Sequence, residues 1–173
     1  IFGNIKAFPL SKEAKTGILV DLSNRKVLWA KNSKTPVPIA SMTKMMSVLI
    51  LLNSMQRNDK ISLNTEVKAT KESTLIPPSK VGLIYGEQYS IRELLESVMV
   101  HSANDSEYLL AQYFSNNNID LFVKVMNNES KKLGLSCTYF NTNGLPEKNN
   151  PKEKNTGSAQ DMVFIAEKLI QFP

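Results

Sequence analysis

One cysteine and one histidine are all this sequence holds of either residue, and their scarcity removes whole classes of chemistry. Cys137 alone excludes an internal disulfide and a cysteine-built metal site, and it reads as a small core residue. His101 alone excludes a histidine metal cluster, so no metal is expected, and a Ser-His-Asp triad would have to use this one residue. Standing at the end of a predicted helix, it reads as a surface or cap residue. Long apolar runs are missing as well: the longest, Val48 to Leu52, is far below the roughly 18 to 20 residues of a membrane span, so the chain is expected to be soluble. No charged n-region followed by an apolar h-region opens the sequence, so an export signal is either absent or already removed. Lysine and arginine outnumber acidic residues 21 to 16, for a formal charge of +5, yet the lysines are scattered from Lys6 to Lys168 without aromatic interleaving. No nucleic-acid partner is expected, and the charge points at most to an anionic polymer such as cell wall or a membrane surface.

What is present suffices for a folded domain. With 42% apolar residues in 173 positions, the chain can bury one core, or most of a larger one. Thr16 to Leu22 and Lys26 to Lys31 are β-rich and flank Ser23-Asn24-Arg25, which predicts an antiparallel hairpin. Beyond Pro36-Val37-Pro38, the apolar segment from Ala40 to Met55 is too long for a strand and predicts a helix. Residues 57 to 89 read as an irregular, partly β stretch around Pro77-Pro78 and Gly82 to Gly86. Three helices are then expected: Ser90 to Val100, opened by a Ser90/Glu93 capping box; Asp105 to Phe114; and Asp120 to Leu133, closed by Gly134. After a polar loop from Asn141 to Asn155, Ser158 and Asp161 cap a last helix that turns Met162, Ile165, Ala166 and Leu169 to the core.

Lys44 is the sharpest physical signal. It is the sole charged residue between Lys34 and Arg57, on a helix whose apolar residues cover so much of the circumference that burial on most sides follows. Burial disfavours an ammonium and lowers its pKa, which turns a lysine into a usable proton acceptor. Ser41 lies three residues earlier, on the same helical face and within reach, at the helix N-terminus where free N–H groups favour developing negative charge. That is a nucleophile beside a base. Spacing alone leaves a bland reading open, with Ser41 as an N-cap and Lys44 reaching solvent. With 17 serines and 18 lysines, roughly two S-x-x-K matches arise by chance, and Ser23/Lys26 is such a match.

Ser102-Ala103-Asn104 forms a second polar cluster between two predicted helices, where both side chains could sit at a cleft mouth. The S-x-N pattern is weak, for Ser62/Asn64 and Ser115/Asn117 share it. A capping box of Ser102 with Asp105 for the next helix competes with the functional reading.

Taken together, the clusters resemble a family. Pro38-Ile39-Ala40-Ser41-Met42-Thr43-Lys44-Met45-Met46 resembles the first motif of low-molecular-mass penicillin-binding proteins, and Ser102-Ala103-Asn104-Asp105 the second. Gly17-Ile18-Leu19-Val20-Asp21, Gly86-Glu87 with Leu94-Leu95, Met126-Asn127 with Leu133-Gly134-Leu135, Asn143-Gly144-Leu145, and Ser158-Ala159-Gln160-Asp161-Met162 are similar, in order, to D-alanyl-D-alanine carboxypeptidases. The likeness covers the chain from about Thr16 onward. It implies an α/β fold of the α+β type, a helical cluster packed on an antiparallel sheet, as in β-lactamases and transpeptidases, with the site in the cleft between them. It further implies that Ser41 is acylated, Lys44 is its base, Ser102 relays a proton to the leaving D-alanine, and Asn104 holds the peptide backbone and helps position Lys44. The implied substrate is a peptidoglycan stem peptide ending in D-Ala-D-Ala, penicillins are implied as covalent inhibitors, and no metal or organic cofactor is needed. An extracytoplasmic location follows, with membrane association, if any, through segments outside this chain.

The resemblance also carries an expectation that the sequence does not meet. The family's third motif, Lys-Thr-Gly on a strand, is imitated poorly by Lys154-Asn155-Thr156-Gly157, which an extra residue interrupts and which stands in a polar loop. Residues 1–173 are therefore expected to be one catalytic domain truncated before its final strands, weak or inactive alone, with an exposed sheet edge available for chain pairing. Two rivals remain. A serine β-lactamase shares the first two motifs, but the Glu-x-x-Leu-Asn segment of class A enzymes is not found between Asp105 and Pro173. A non-catalytic cell-wall-binding module would keep the fold without the chemistry.

Overall fold

Helix α2, Thr43–Gln56, runs through the middle of the molecule. In this computed structural model, which describes residues 10–146, 150 and 152–172, Met46 and the unbroken run Val48 to Leu51 are all buried. Consecutive buried residues point to every side of a helix, so α2 can only be satisfied by neighbours all round it. Those neighbours are α4 (Ile91–His101), α5 (Asn104–Phe114), α6 (Ile119–Lys132) and α7 (Ala159–Leu169), and each packs directly on α2. Ile91, Leu94, Leu109, Leu110, Met126 and Ile165 close the core around it.

The antiparallel structure comprises three two-stranded pairs among the described residues. After a one-turn helix α1 (Leu10–Glu13), β1 (Gly17–Asp21) and β2 (Lys26–Lys31) form the expected hairpin. Its turn is organised by Asp21, whose carboxylate accepts from the backbone N–H and hydroxyl of Ser23 and from the Asn24 amide. Strand β3 (Val37–Pro38) pairs with β6 (Thr156–Gly157), and β4 (Glu66–Lys68) pairs with β5 (Gln88–Ser90). A short helix α3 (Lys71–Thr74), capped by the Thr70 hydroxyl, lies between β4 and β5. The irregular stretch expected over 57 to 89 thus contains a paired strand at each end and one helical turn.

The capping boxes of Ser90/Glu93 and Ser158/Asp161 are both formed, and Gly134 after α6 takes a positive φ of 69°, as a helix-ending glycine does. Two boundaries differ from expectation. The helix predicted from Ala40 begins instead with a 3-10 turn, Ala40–Met42, before α2 proper. Ala40 has φ 45°, outside the helical region, because Gly144 is pressed onto its backbone: a Cβ on Gly144 would lie 1.9 Å from the Ala40 carbonyl oxygen. The Ser102/Asp105 capping box does not form. Ser102 instead ends α4 in the left-handed conformation, and Ala103 opens α5 without a side-chain cap. The Asp105 carboxylate is engaged elsewhere, accepting from the backbone N–H groups of Val81, Gly82 and Leu83.

Candidate active site

Three elements converge on the Lys44 amine. Its residue is 3% exposed, and Nζ donates to Ser41 Oγ at 3.5 Å, Ser102 Oγ at 3.3 Å and the Asn143 carbonyl at 3.1 Å. Ser41 comes from the 3-10 turn before α2, Ser102 from the junction of α4 and α5, and Asn143 from the loop that follows α6. A carbonyl can only accept a hydrogen bond, so Asn143 fixes one N–H of the amine and thereby the direction of the others. In its neutral form the amine keeps two N–H bonds and one lone pair, and with Asn143 and Ser102 taking the donors, the lone pair is left for the Ser41 hydroxyl. Burial pulls the Lys44 pKa below its ordinary value, while the charge of Glu107 raises it in part. Ser41 itself is exposed. A solvent-facing hydroxyl backed by a buried amine is the arrangement that nucleophilic catalysis needs.

Strain surrounds the pair. Ala40, immediately before Ser41, and Ser102 have φ of 45° and 57°, a region that costs a non-glycine residue of order 1 kcal/mol or more and that clusters at functional sites. The Ala40 backbone precedes Ser41 and the Ser102 backbone carries its own hydroxyl, and both hydroxyls meet the Lys44 amine.

Asn104 is placed differently from the expectation that it helps position Lys44. It is buried, its side-chain amide donates to the Pro77 carbonyl at 3.1 Å, and its backbone N–H donates to the Ser79 carbonyl at 2.8 Å. Together with Asp105 it straps residues 77–83 over the helix junction, and no hydrogen bond joins it to Lys44. Positioning of the amine falls to the Asn143 carbonyl, which periodicity could not reveal because a backbone atom in a loop leaves no side-chain signature. His101 ends α4 exposed, lending its carbonyl to the Ser79 hydroxyl. Cys137 is buried, and burial pushes its thiol up to about 11, so it is a core residue and no nucleophile.

The Asn143 loop is held by a buried bracket. Asn155 is 2% exposed; its carbonyl oxygen accepts from the backbone of Phe140 and Asn141, and its amide donates to Thr43 Oγ1 and to Asn141. Asn127 and Ser130 of α6 tie the same loop at Tyr139 and Cys137. Lys154-Asn155-Thr156-Gly157 is accordingly not a purely polar loop. Thr156 and Gly157 are the strand β6, and Gly157 is required there because a Cβ would meet Cys137 Sγ at 2.8 Å.

Comparison with known proteins gives a consistent result. The D-alanyl-D-alanine carboxypeptidase family matches residues 4–172. D-alanyl-D-alanine carboxypeptidase DacF of Bacillus subtilis is 33% identical over 164 residues, covering 94% of this chain and 40% of the relative. The crystal structure of the carboxypeptidase DacD from Francisella tularensis superposes with a TM-score of 0.83 at 24% identity, over 92% of this chain and 37% of that one. Penicillin-binding protein D2 of Listeria monocytogenes, in a form with cefotaxime bound, does so with a TM-score of 0.73 at 27% identity, over 91% of this chain and 62% of that one. The chain spans about two fifths of the length of the curated relatives it matches.

Proposed function

The chain belongs to the D-alanyl-D-alanine carboxypeptidase family, and from that premise we propose that the intact protein is a serine-type carboxypeptidase that removes the terminal D-alanine from peptidoglycan stem peptides. The observation that carries the reading is the contact of one buried amine with two hydroxyls, Ser41 and Ser102. In the proposed cycle Ser41 Oγ attacks the penultimate D-alanyl carbonyl while its proton passes to Lys44. Ser102 carries a proton to the nitrogen of the departing D-alanine, and water then hydrolyses the acyl-Ser41 ester. Asn104, whose backbone anchors the 77–83 strap, would hold the peptide through that wall. Such a substrate would put the protein outside the cytoplasm, in the periplasm, at the outer face of the cell membrane, or secreted.

A β-lactam carries a strained amide in place of the scissile peptide bond, so the same serine should be acylated by penicillins. Incubation of the intact protein with a labelled penicillin, followed by peptide mass spectrometry, tests this directly. Stoichiometric mass addition on Ser41, with slow release, is expected. Absence of label, or label on another serine, would remove the reading, and rapid turnover of the penicillin would favour a β-lactamase.

A further inference from the structure

Glu107 lies beneath the site, and the chemistry so far makes no use of it. It is 1% exposed on α5, with Oε2 accepting from Thr142 Oγ1 at 2.6 Å and Oε1 buried without a hydrogen-bond partner. A carboxyl group so enclosed costs several kcal/mol if ionised and unpaired, so its presence asks for a reason. Its surroundings supply one. Thr142 is adjacent to Asn143, whose carbonyl holds Lys44, and the Thr142 carbonyl accepts from Ser47, one helical turn beyond Lys44 on α2. Glu107, the 142–143 backbone and Lys44 therefore form one buried cluster built from three elements.

We propose that Glu107 is a positioning residue for Lys44: its carboxylate is the counter-charge for the ammonium formed when the amine takes the proton of Ser41. This rests on the acyl-transfer reading above. In that step the Ser41 O–H bond breaks and an N–H bond forms on Lys44. The electron pair stays on Oγ for attack, and the new positive charge arises in the buried cluster that joins Lys44 through Asn143 and Thr142 to the Glu107 carboxyl, which can give up its proton as the amine gains one. The groups around Glu107 agree with such a role. Burial raises the Glu107 carboxyl above its ordinary value, and the hydroxyls of Thr142 and Ser47 and then the charge of Lys44 on α2 act against burial in favour of the ionised form. Tyr108 is next to it in the chain, and burial first, then the carboxylates of Glu72 on α3 and of Glu107, push its phenol up. Asp105 on the same helix is already committed to the 81–83 backbone.

The pairing predicts a direction. An opposite charge favours the protonated amine, so Glu107→Gln should move Lys44 titration to lower pH. In the intact protein carrying 13C-ε-lysine, NMR titration of the Lys44 resonance is expected to shift down by about one unit, a tenfold change in its acid constant. The acid limb of the pH profile for Ser41 acylation by a labelled penicillin should move by the same amount, with the plateau rate reduced. Glu107→Asp, which keeps the charge, should retain most of the wild-type limb. Should Glu107→Gln fail to fold, Thr142→Val, which frees the carboxylate from its anchor, must still displace the Lys44 titration. An unchanged Lys44 titration, or a rate lowered by one factor at every pH, would overturn the proposal, since a merely structural role does that. If wild-type Ser41 takes no label while the NMR shift persists, the acyl-transfer reading falls and the pairing stands.

Discussion

Ser23/Lys26 and Ser41/Lys44 share one sequence pattern and have nothing else in common. The first pair lies across an exposed hairpin turn, where Ser23 bonds to Asp21, the chain reverses through Arg25 at φ 56°, and Lys26 opens a solvent-facing strand. In the second, the same spacing winds through a 3-10 turn into a helix, so hydroxyl and amine come within 3.5 Å, and the amine is enclosed with Ser102 and the Asn143 carbonyl, leaving Lys44 3% exposed. Spacing fixes which groups can meet only once the backbone is known, and burial decides whether the meeting alters their chemistry.

Substitutions can break this contrast. Lys44→Ala should lower Ser41 acylation by a labelled penicillin by about 10²- to 10⁴-fold, the usual contribution of a positioned general base, whereas Lys26→Ala should leave acylation unchanged. Equal losses at both lysines would sink the assignment. A second contrast sets Gly144 against Gly134. Both have positive φ, but a Cβ on Gly144 meets the Ala40 carbonyl at 1.9 Å, whereas one on Gly134 meets nothing within 4 Å. Gly144→Ala should destabilise by about 3 kcal/mol or more and displace the Ser41 turn, against roughly 1 kcal/mol for Gly134→Ala. Denaturant melts with matched acylation rates would tell the two apart.

Smaller effects sharpen the picture. Asn155→Ala strands the backbone N–H groups of Phe140 and Asn141 and should cost about 1–3 kcal/mol, with Lys44 less firmly held because the Asn143 loop loosens; urea unfolding measures the first and acylation the second. The most delicate test is pH. Burial raises the Glu107 carboxyl to about 7 from an ordinary 4.5, so between those values the folded chain retains a proton that the unfolded chain has released. Its contribution to stability is therefore present below about 4.5 and is lost as pH rises toward 7. Lys44, depressed below 10.5, acts at higher pH with the opposite sign, and stability recovers as its amine deprotonates in the folded state. A melting temperature that falls from pH 4.5 to 7 in the wild type and stays flat in Glu107→Gln is expected; identical slopes would contradict it.

Glu107 shows why part of the site was hidden in the sequence. It stands on α5 one turn after Asn104 and one turn before Ala111, the same helical face, and just before Leu109 and Leu110, which are buried. A charged residue on a buried stripe is the signal that marked Lys44, but α5 opens with Asn104, Asp105 and Ser106, and a polar first turn is what a helix N-terminus ordinarily shows. Local pattern could not separate a carboxylate that faces the dipole from one enclosed against a loop 35 residues away at Thr142.

The amino-acid order by itself determined the hairpin, the succession of helices with their caps, and the burial of Lys44 on a helix apolar on every side, because these depend on periodicity and turn chemistry within a few residues. Tertiary structure alone decided that Asn143 lends its carbonyl to the amine, that Asn104 and Asp105 serve the 77–83 strap, and that Glu107 meets Thr142 beside that carbonyl. Each of those contacts joins segments tens of residues apart through backbone atoms or enclosed side chains. Only the packing of α2 against its neighbours brings them together.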